Sequence, residues 1–200
     1  MPINQGIFGD TSNFSERYIR DIDSLTAVVK SLKNLGASIV LTSGSFDMVH
    51  EGHVKYLERA KELGDVLVVG VDSDAKIRHR KGPGRPIVPE QERLSMLTHF
   101  RPVDIVFLKE ETDARWGLIS AIEPDILVAT VDTYTQIQIE ELSNSFCGRV
   151  EVLDRQATTT TTARIRDMQI DLADRITRDL VEILPSVIQK TINQGAGRGE

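Results

Sequence analysis

The 200-residue chain has little of several features that mark other classes of protein. It has one cysteine, Cys147, and this excludes an intramolecular disulfide. No apolar run approaches the roughly 18 residues of a membrane helix, and the first residues do not begin a signal peptide. The net charge of −6 argues against binding to bulk nucleic acid. We therefore expect a cytoplasmic protein that binds neither membrane nor nucleic acid.

Short apolar runs alternate with amphipathic stretches along the chain. Hydrophobic residues make up 40% of the sequence, which is enough for the core of one domain with a modest extension. The segment from Val66 to Val71 is apolar except for one glycine, as in parallel strands that are buried on both faces. We predict strands at 39–41, 66–71, 105–108, 126–129 and 150–153. This order predicts an α/β three-layer sandwich with a five-stranded parallel sheet and helices on both faces.

Apolar residues that recur every three or four positions predict the helices. The expected helices are 24–35, 53–63, 89–99, one capped by Thr112 or Asp113 and ended by Pro124, 137–142, and a long one after the threonines at 158–162. Ser24 is the expected N-cap of the first helix, and Pro185 is expected to end the last one. The basic segment 76–86 is expected to be a loop, because two glycines and two prolines lie at its end.

The domain organisation follows from these elements. We assign an N-terminal tail and helix to 1–35, the main domain to 36–168, a C-terminal helical extension to 169–193 and a disordered tail to 194–200. The apolar stripe along the last helix is typical of a core contact or a dimer face, and it does not resemble a ligand site.

Residues 43–53 carry the most informative pattern. They follow the first predicted strand and precede an amphipathic helix, so they form a tight strand-to-helix loop. A helix start exposes unpaired N–H groups and the positive end of the helix dipole, and both favour an anion such as phosphate. His50 and His53 lie at this helix start and can add hydrogen bonds, or charge if they are protonated. The loop therefore predicts an anion-binding site.

This loop resembles the signature of the cytidylyltransferase-like nucleotidyltransferases. That signature joins a small-Gly-small-Phe-Asp segment to His-x-Gly-His, and later motifs continue the match in order over about residues 36–168. The matching residues are Gly44, Ser45, Phe46 and Asp47, then His50, Gly52 and His53, then Arg93, Val103 and Asp104, and finally Thr160, Thr161 and Thr162. The resemblance implies a Rossmann-like nucleotidyltransferase domain over this range.

The resemblance also implies a reaction. A phosphate or other nucleophile attacks the α-phosphorus of a nucleoside triphosphate, and pyrophosphate leaves without a covalent enzyme intermediate. Such a reaction needs positive charge and hydrogen-bond donors around the phosphate chain. Mg²⁺ would accompany the triphosphate, with Asp47 contributing to that region. The acceptor would be a small phosphorylated molecule.

Site residues are carried over from the family by position. The implied catalytic residues are His50, His53 and Lys81, with Lys81 and Arg80 on a loop that could close over the phosphates. The implied nucleotide-binding residues are Gly44, Ser45, Phe46, Asp47, Arg80, Arg93, Arg101, Arg155, Thr160, Thr161 and Thr162. Asp74 is the implied acceptor-binding residue.

Several of these residues also have simpler interpretations. The histidine pair could hold zinc, although the His-Glu-x-x-His spacing is missing and the chain has a single thiol. The basic segment 76–85 could be only a solvated face or a nucleic-acid patch. Arg93 could be structural, and Asp74 could only cap a helix.

Two resemblances within the sequence indicate different nucleotide bases. Several segments resemble the cytidylyltransferases of phosphoethanolamine and phosphocholine type and favour CTP slightly. They are Gly70–Asp74, Lys81–Pro83 and Glu92–Arg93, together with Arg101 and Arg155. Residues 39–44, 85–89 and 124–128 resemble the heptose-1-phosphate adenylyltransferases, which use ATP. Both groups usually have a Gly-Asp turn after the fourth strand, and here residues 129–134 have lost the glycines.

Two further expectations complete the sequence interpretation. The altered turn leaves room for a different class of function, a nucleotide-binding sensor without catalysis, although the retained histidines argue for an enzyme. Dimerisation is common in the family, so we expect a homodimer.

Overall fold

The computed structural model describes residues 14–154 and 161–196, with side chains of the last helix described over residues 165–188. The chain divides into two compact units, Met1–Thr158 and Thr159–Glu200. The division of the main domain at residue 168 stays a prediction. No helix in the described ranges is both long enough and apolar enough to cross a membrane.

The first unit is built on a five-stranded parallel sheet, as predicted. The strands are β1 (Ile39–Gly44), β2 (Val66–Asp72), β3 (Ile105–Lys109), β4 (Ile126–Thr130) and β5 (Arg149–Leu153). Their order across the sheet is β3-β2-β1-β4-β5. After β2 and β3 the chain returns to the other side of β1 to add β4 and β5. The carboxyl end of β1 is therefore a topological switch point, where α/β sheets bind their ligands.

In the described part of the first unit, two helices precede β1 and five connect the strands. They are α1 (Phe14–Arg17), α2 (Ile22–Asn34), α3 (Glu51–Lys61), α4 (Asp74–Lys81), α5 (Glu90–Thr98), α6 (Gly117–Ile122) and α7 (Gln136–Ser145). Two apolar clusters of buried side chains cover the two faces of the sheet. One contains Leu25 of α2 and Ile119 of α6, and the other contains Leu57 of α3 and Leu94 of α5. This is the predicted three-layer arrangement.

Two helix starts differ from the prediction, since another side chain caps α2 and no side chain caps α6. Asp21, not Ser24, caps α2, and its carboxylate accepts a hydrogen bond from the Ser24 amide at 2.8 Å. Neither Thr112 nor Asp113 caps α6, which begins after Trp116. Asp113 instead accepts a hydrogen bond from the Glu110 amide at 2.7 Å and closes the turn after β3.

The basic segment was wrongly predicted to be a loop over residues 76–81. These residues belong to α4, which the Ser73 hydroxyl caps by accepting from the Lys76 amide at 3.2 Å. The helix ends where Gly82 takes a φ of 92°, a conformation that glycine adopts without strain. The glycines and prolines therefore form a loop only after Lys81.

The described part of the second unit is one helix, α8 (Thr161–Ala196), of 36 residues. The prediction that Pro185 ends it was wrong, since the helix continues through the proline. In that turn the Ser186 hydroxyl donates to the Ile183 carbonyl at 2.8 Å. The expected disordered tail began at 194, whereas residues 194–196 are helical and 197–200 lie outside the described residues.

Candidate active site

The two histidines of the strand-to-helix loop form a reciprocal cap on α3. His50 is the N-cap, and its Nδ1 accepts from the Gly52 amide at 3.1 Å. His53 Nδ1 accepts in turn from the His50 amide at 3.3 Å, and the ring centroids are 4.1 Å apart. This is a capping box in which imidazoles replace the usual Ser/Thr and Glu/Gln. Because Nδ1 is the acceptor in both rings, each neutral ring carries its proton on Nε2.

The loop that leads to the histidines is held in an unusual conformation. Phe46 and Met48 have positive φ values of 46° and 51°. Such values cost energy in residues other than glycine, and they persist where the surroundings fix them. Phe46 is buried, and its ring centroid lies 5.8 Å from that of His53. The Phe46 ring therefore packs beside the His53 ring.

His53 is a neutral hydrogen-bond donor at neutral pH. Burial is the main cause that lowers its pKa from 6.5 to about 4, and the nearby His50 and Lys81 lower it further. The expectation that these imidazoles add charge therefore does not apply to His53. Its Nε2–H group is suited to donate to a phosphate oxygen without charging the ring.

The shifted pKa predicts how stability depends on pH. Between about pH 7 and pH 4 the unfolded chain takes up a proton on His53 and the folded chain resists it, so the free energy of unfolding falls as the pH falls. Replacing His53 by glutamine should make this decline shallower in urea denaturation at a series of pH values. The exposed His99 is the control, and His99→Gln should keep the wild-type slope. An unchanged slope in His53→Gln would contradict the buried neutral state.

The last turn of α4 carries two cations, of which Lys81 contacts the histidine loop and Arg80 contacts the end of β2. Lys81 Nζ donates to Ser45 Oγ at 3.1 Å, and partial burial, with Arg80 and Arg85 nearby, lowers the pKa of its ammonium. Arg80 pairs with the buried Asp72 at 2.8 Å. Both residues occupy the last turn of a helix and are not on a flexible loop. Lys81 thus lies beside the histidine loop as expected, on a rigid element.

Asp47 is directed into the protein. Its carboxylate accepts from the amides of Ile87 at 3.0 Å and Val88 at 3.0 Å, and it pairs with Arg85 at 2.9 Å. The residue is 2% exposed. This geometry ties the loop after α4 to the histidine loop, and it does not suit the expected part of Asp47 beside a magnesium ion.

Arg93 is wholly buried, and its guanidinium group contacts other groups of the protein. Its Nε donates to the Val88 carbonyl, and Nη1 donates to the carbonyls of Ser45 at 2.6 Å and Asp72 at 2.8 Å. Its Nη2 pairs with Asp74 at 2.7 Å. The arrangement is that of a residue that fixes the loop and the end of β2, which is the structural alternative left open by the sequence. Asp74 is engaged by the same contact.

The sequence profile of the cytidylyltransferase-like family matches residues 41–178. The chain belongs to this family. The match includes the histidine loop and all five strands except the first two residues of β1. It agrees with the parallel sheet and with the position of the loop at its switch point.

Several curated relatives share this cytidylyltransferase-like region. The bifunctional protein HldE of Geotalea uraniireducens (strain Rf4) is 41% identical over 157 residues, which cover 76% of this chain and 32% of that protein. HldE of Campylobacter jejuni (strain RM1221) is 42% identical over 139 residues, which cover 70% of this chain and 29% of that protein. The chain spans about a third of the length of these relatives.

Solved structures agree with the fold. The lipopolysaccharide core biosynthesis protein of Thermoplasma volcanium GSS1 is 29% identical with a TM-score of 0.51, and the match covers 60% of this chain and 97% of that one. The pantoate-beta-alanine ligase of Francisella tularensis has a TM-score of 0.54 at 16% identity, over 80% of this chain and 77% of that one. The second likeness shows the fold alone. Membership of the cytidylyltransferase-like family, together with the HldE relatives, supports a nucleotidyltransferase, as predicted.

Arg101, another predicted site residue, lies away from the histidines. Arg101 lies in the turn before β3, and because the sheet is parallel this is the edge opposite to the end of β1. Arg155 and Thr160 lie outside the described residues. Thr161 and Thr162 begin α8 in the second unit, and their side chains are not described. Their roles stay predictions.

The rewritten turn after β4 is closed by hydroxyl groups. Thr133 Oγ1 accepts from the Thr130 amide at 3.1 Å and lies 2.9 Å from Thr130 Oγ1. Thr135 then caps α7 in a reciprocal capping box with Gln138. Threonine side chains thus supply the closure of this family's turn without its usual glycines.

Sequence reasoning missed two charged residues at the carboxyl edge of the sheet. Asp72 is the last residue of β2 and Lys109 the last residue of β3, and the two are register partners. The signal was available, because ligands in such sheets bind beyond the carboxyl ends of strands.

Proposed function

We propose that this chain transfers the adenylyl group of ATP to a sugar 1-phosphate, with a heptose 1-phosphate as the acceptor. A phosphate oxygen of the acceptor attacks the α-phosphorus. The bond from the α-phosphorus to the oxygen that bridges to the β-phosphorus breaks, and pyrophosphate takes the electron pair. The products are a nucleotide sugar and pyrophosphate.

The reciprocal histidine cap is the observation that carries this proposal. It holds the side chains of His50 and His53 together at the start of α3, at the switch point of the sheet. Charge that develops on the phosphate oxygens in the transition state is stabilised by donors already fixed in position. Both imidazoles are held through Nδ1, so they need no rearrangement to act.

The choice of ATP rests on the relatives and on the segments that resemble heptose-1-phosphate adenylyltransferases. The HldE relatives favour this side of the resemblance. The argument for CTP from Arg101 is weakened, because this residue lies at the edge of the sheet opposite to the histidine loop. CTP with a phosphorylated alcohol remains the second candidate, since Gly70–Asp74 resembles the cytidylyltransferases. In either case the triphosphate enters as its Mg²⁺ complex, which is the substrate.

Lys81 is proposed to bind the triphosphate, because its ammonium lies against Ser45 of the histidine loop. Replacing Lys81 by alanine should raise the KM for the nucleotide about tenfold or more, and the KM for the acceptor much less. Steady-state kinetics with each substrate varied in turn measures both constants. Lys55→Ala is the matched control, since Lys55 is exposed on α3 and pairs with Glu51. An unchanged KM for the nucleotide would remove Lys81 from the site.

A substrate panel tests the proposed function. Pyrophosphate release is measured with ATP, CTP, GTP and UTP, each with Mg²⁺, against heptose 1-phosphate, other sugar 1-phosphates and glycerol 3-phosphate. The proposal expects the highest rate with ATP and heptose 1-phosphate. A highest rate with CTP and a phosphorylated alcohol would favour the second candidate. Nucleotide binding with no pyrophosphate release for any pair would favour a sensor.

A cytoplasmic homodimer is the state we propose for the active protein.

A further inference from the structure

A compact charged cluster lies over the carboxyl ends of β2 and β3. Asp72 and Lys109 are paired in the parallel register, so their side chains project from the same face of the sheet. Asp72 Oδ2 accepts from Arg80 at 2.8 Å, and Asp72 Oδ1 lies 3.4 Å from Lys109 Nζ. The carboxylate side chain is 2% exposed, and the Lys109 side chain is 22% exposed. One buried carboxylate thus forms ion pairs with two cations.

The cluster carries more positive than negative charge. Burial lowers the pKa of the Lys109 ammonium, and the nearby Lys76 and Arg80 lower it further, against the opposing effect of Asp72. The contact of Lys109 with Asp72 is the long one, beyond the usual 2.7–2.9 Å of a charge-assisted hydrogen bond. Arg80 makes the short contact. Lys109 is therefore a mostly buried cation whose charge is incompletely balanced, which suits an anionic ligand.

The lysine side chain is accommodated by the sheet itself. A Cβ atom at Gly70, which lies two residues before Asp72 on the same face, would come within 2.8 Å of Lys109 Cδ and within 2.7 Å of Ser43 Oγ. Any residue larger than glycine would therefore displace the lysine stem. The glycine therefore leaves room for the lysine stem to cross the carboxyl end of β2.

The cluster borders the histidine loop. Arg93 Nη1 donates to both the Ser45 and the Asp72 carbonyls, so these two oxygens are bound to the same nitrogen. Arg80 of the cluster is followed directly by Lys81, which contacts Ser45. The histidine loop follows β1, and Asp72 ends the adjacent strand β2. The predicted anion site at the histidines therefore lies next to the positive charge around Asp72.

We propose that Lys109 binds the phosphate of the acceptor, with Arg80 beside it and Asp72 positioning both cations. This assignment rests on the proposed nucleotidyl transfer, in which a phosphate must approach a triphosphate that is also negatively charged. Lys109 and Arg80 reduce the repulsion between the two substrates and orient the attacking oxygen. The histidine loop and Lys81 hold the triphosphate, and the ends of β2 and β3 hold the acceptor.

Calorimetric titration of heptose 1-phosphate tests this assignment, with a non-hydrolysable ATP analogue present. Replacing Lys109 by methionine keeps the apolar stem over Gly70 and removes the charge. We expect the Kd for heptose 1-phosphate to rise about tenfold or more, and the Kd for the ATP analogue to change less than about twofold. Lys109→Arg should recover part of the affinity. Inorganic phosphate should compete with the acceptor in the wild type.

Lys33→Met is the matched control, because Lys33 lies near the end of α2 and donates to the Glu123 carbonyl, away from the carboxyl edge. It should bind heptose 1-phosphate as the wild type does. Equal affinity of wild type and Lys109→Met, or no binding by the wild type, would overturn the assignment. The proposed function fails by a different result, the absence of pyrophosphate release from the wild-type protein across the substrate panel.

Discussion

Replacing His53 by alanine is expected to lower kcat by about 10²-fold or more, with the fold retained. A fixed donor to a developing negative charge is worth about 10²–10³ in turnover in other enzymes. His53 is held by its contact with the His50 amide and by packing against Phe46, so its Nε2–H group is fixed in position before the substrate binds. The loss should appear in kcat more than in the KM for the nucleotide, because the interaction strengthens in the transition state. Steady-state kinetics with saturating acceptor measures it.

His50 requires a design that separates capping from catalysis. Its side chain caps α3, and loss of a cap costs about 1 kcal/mol of stability. Asparagine is among the best N-cap residues, so His50→Asn should retain stability and still lose turnover, whereas His50→Ala should lose both. Urea denaturation of the two variants checks the stability. Near-normal turnover in both His50→Asn and His53→Ala would show that the site is wrong.

Replacing Arg93 by methionine is expected to lower the free energy of unfolding by about 3–5 kcal/mol. Removing the buried partner of an ion pair leaves the other charge, here the 22% exposed Asp74, without compensation. Here the change also leaves the carbonyls of Ser45, Asp72 and Val88 without this donor. Methionine has a similar length and no donor, so the effect comes from the lost hydrogen bonds and charge. Urea denaturation at neutral pH measures it.

A surface arginine provides the comparison for Arg93. Arg59 is exposed on α3 and pairs with Glu62 three residues later. Exposed pairs of this kind contribute about 1 kcal/mol or less, so Arg59→Met should change stability within that range. Equal losses in the two variants would mean that the Arg93 network does not stabilise the end of β2 and the histidine loop.

The fold could be predicted because its signals are local and consistent. Continuous apolar runs such as Val66–Val71 mark buried parallel strands, and alternating helices fix the layers. The errors arose where a single side chain determines the end of a helix. Asp21 displaced the cap predicted at Ser24, and Ser73 started a helix in a segment where the later glycines and prolines suggested a loop. A pattern does not show which of several polar side chains reaches the first free amide.

The site was only partly predictable. The histidine loop stands out in sequence because its residues are contiguous and lie at a strand end. Arg93 and Asp47 carry the family pattern, yet whether they face a ligand or the interior depends on contacts with residues 40 or more positions away, such as Ser45 and Ile87. Lys109 was missed because its partner Asp72 lies on another strand, and only the register brings them together.

The most direct test of nucleotidyl transfer is to measure its stoichiometry in one reaction. ATP, Mg²⁺ and heptose 1-phosphate are incubated with the protein, pyrophosphate is quantified, and the nucleotide products are identified by mass spectrometry. We expect one nucleotide sugar and one pyrophosphate for each ATP consumed, with both products falling together in His53→Ala. Binding of ATP without either product, or release of pyrophosphate with AMP and unchanged acceptor, would contradict transfer to a phosphorylated sugar.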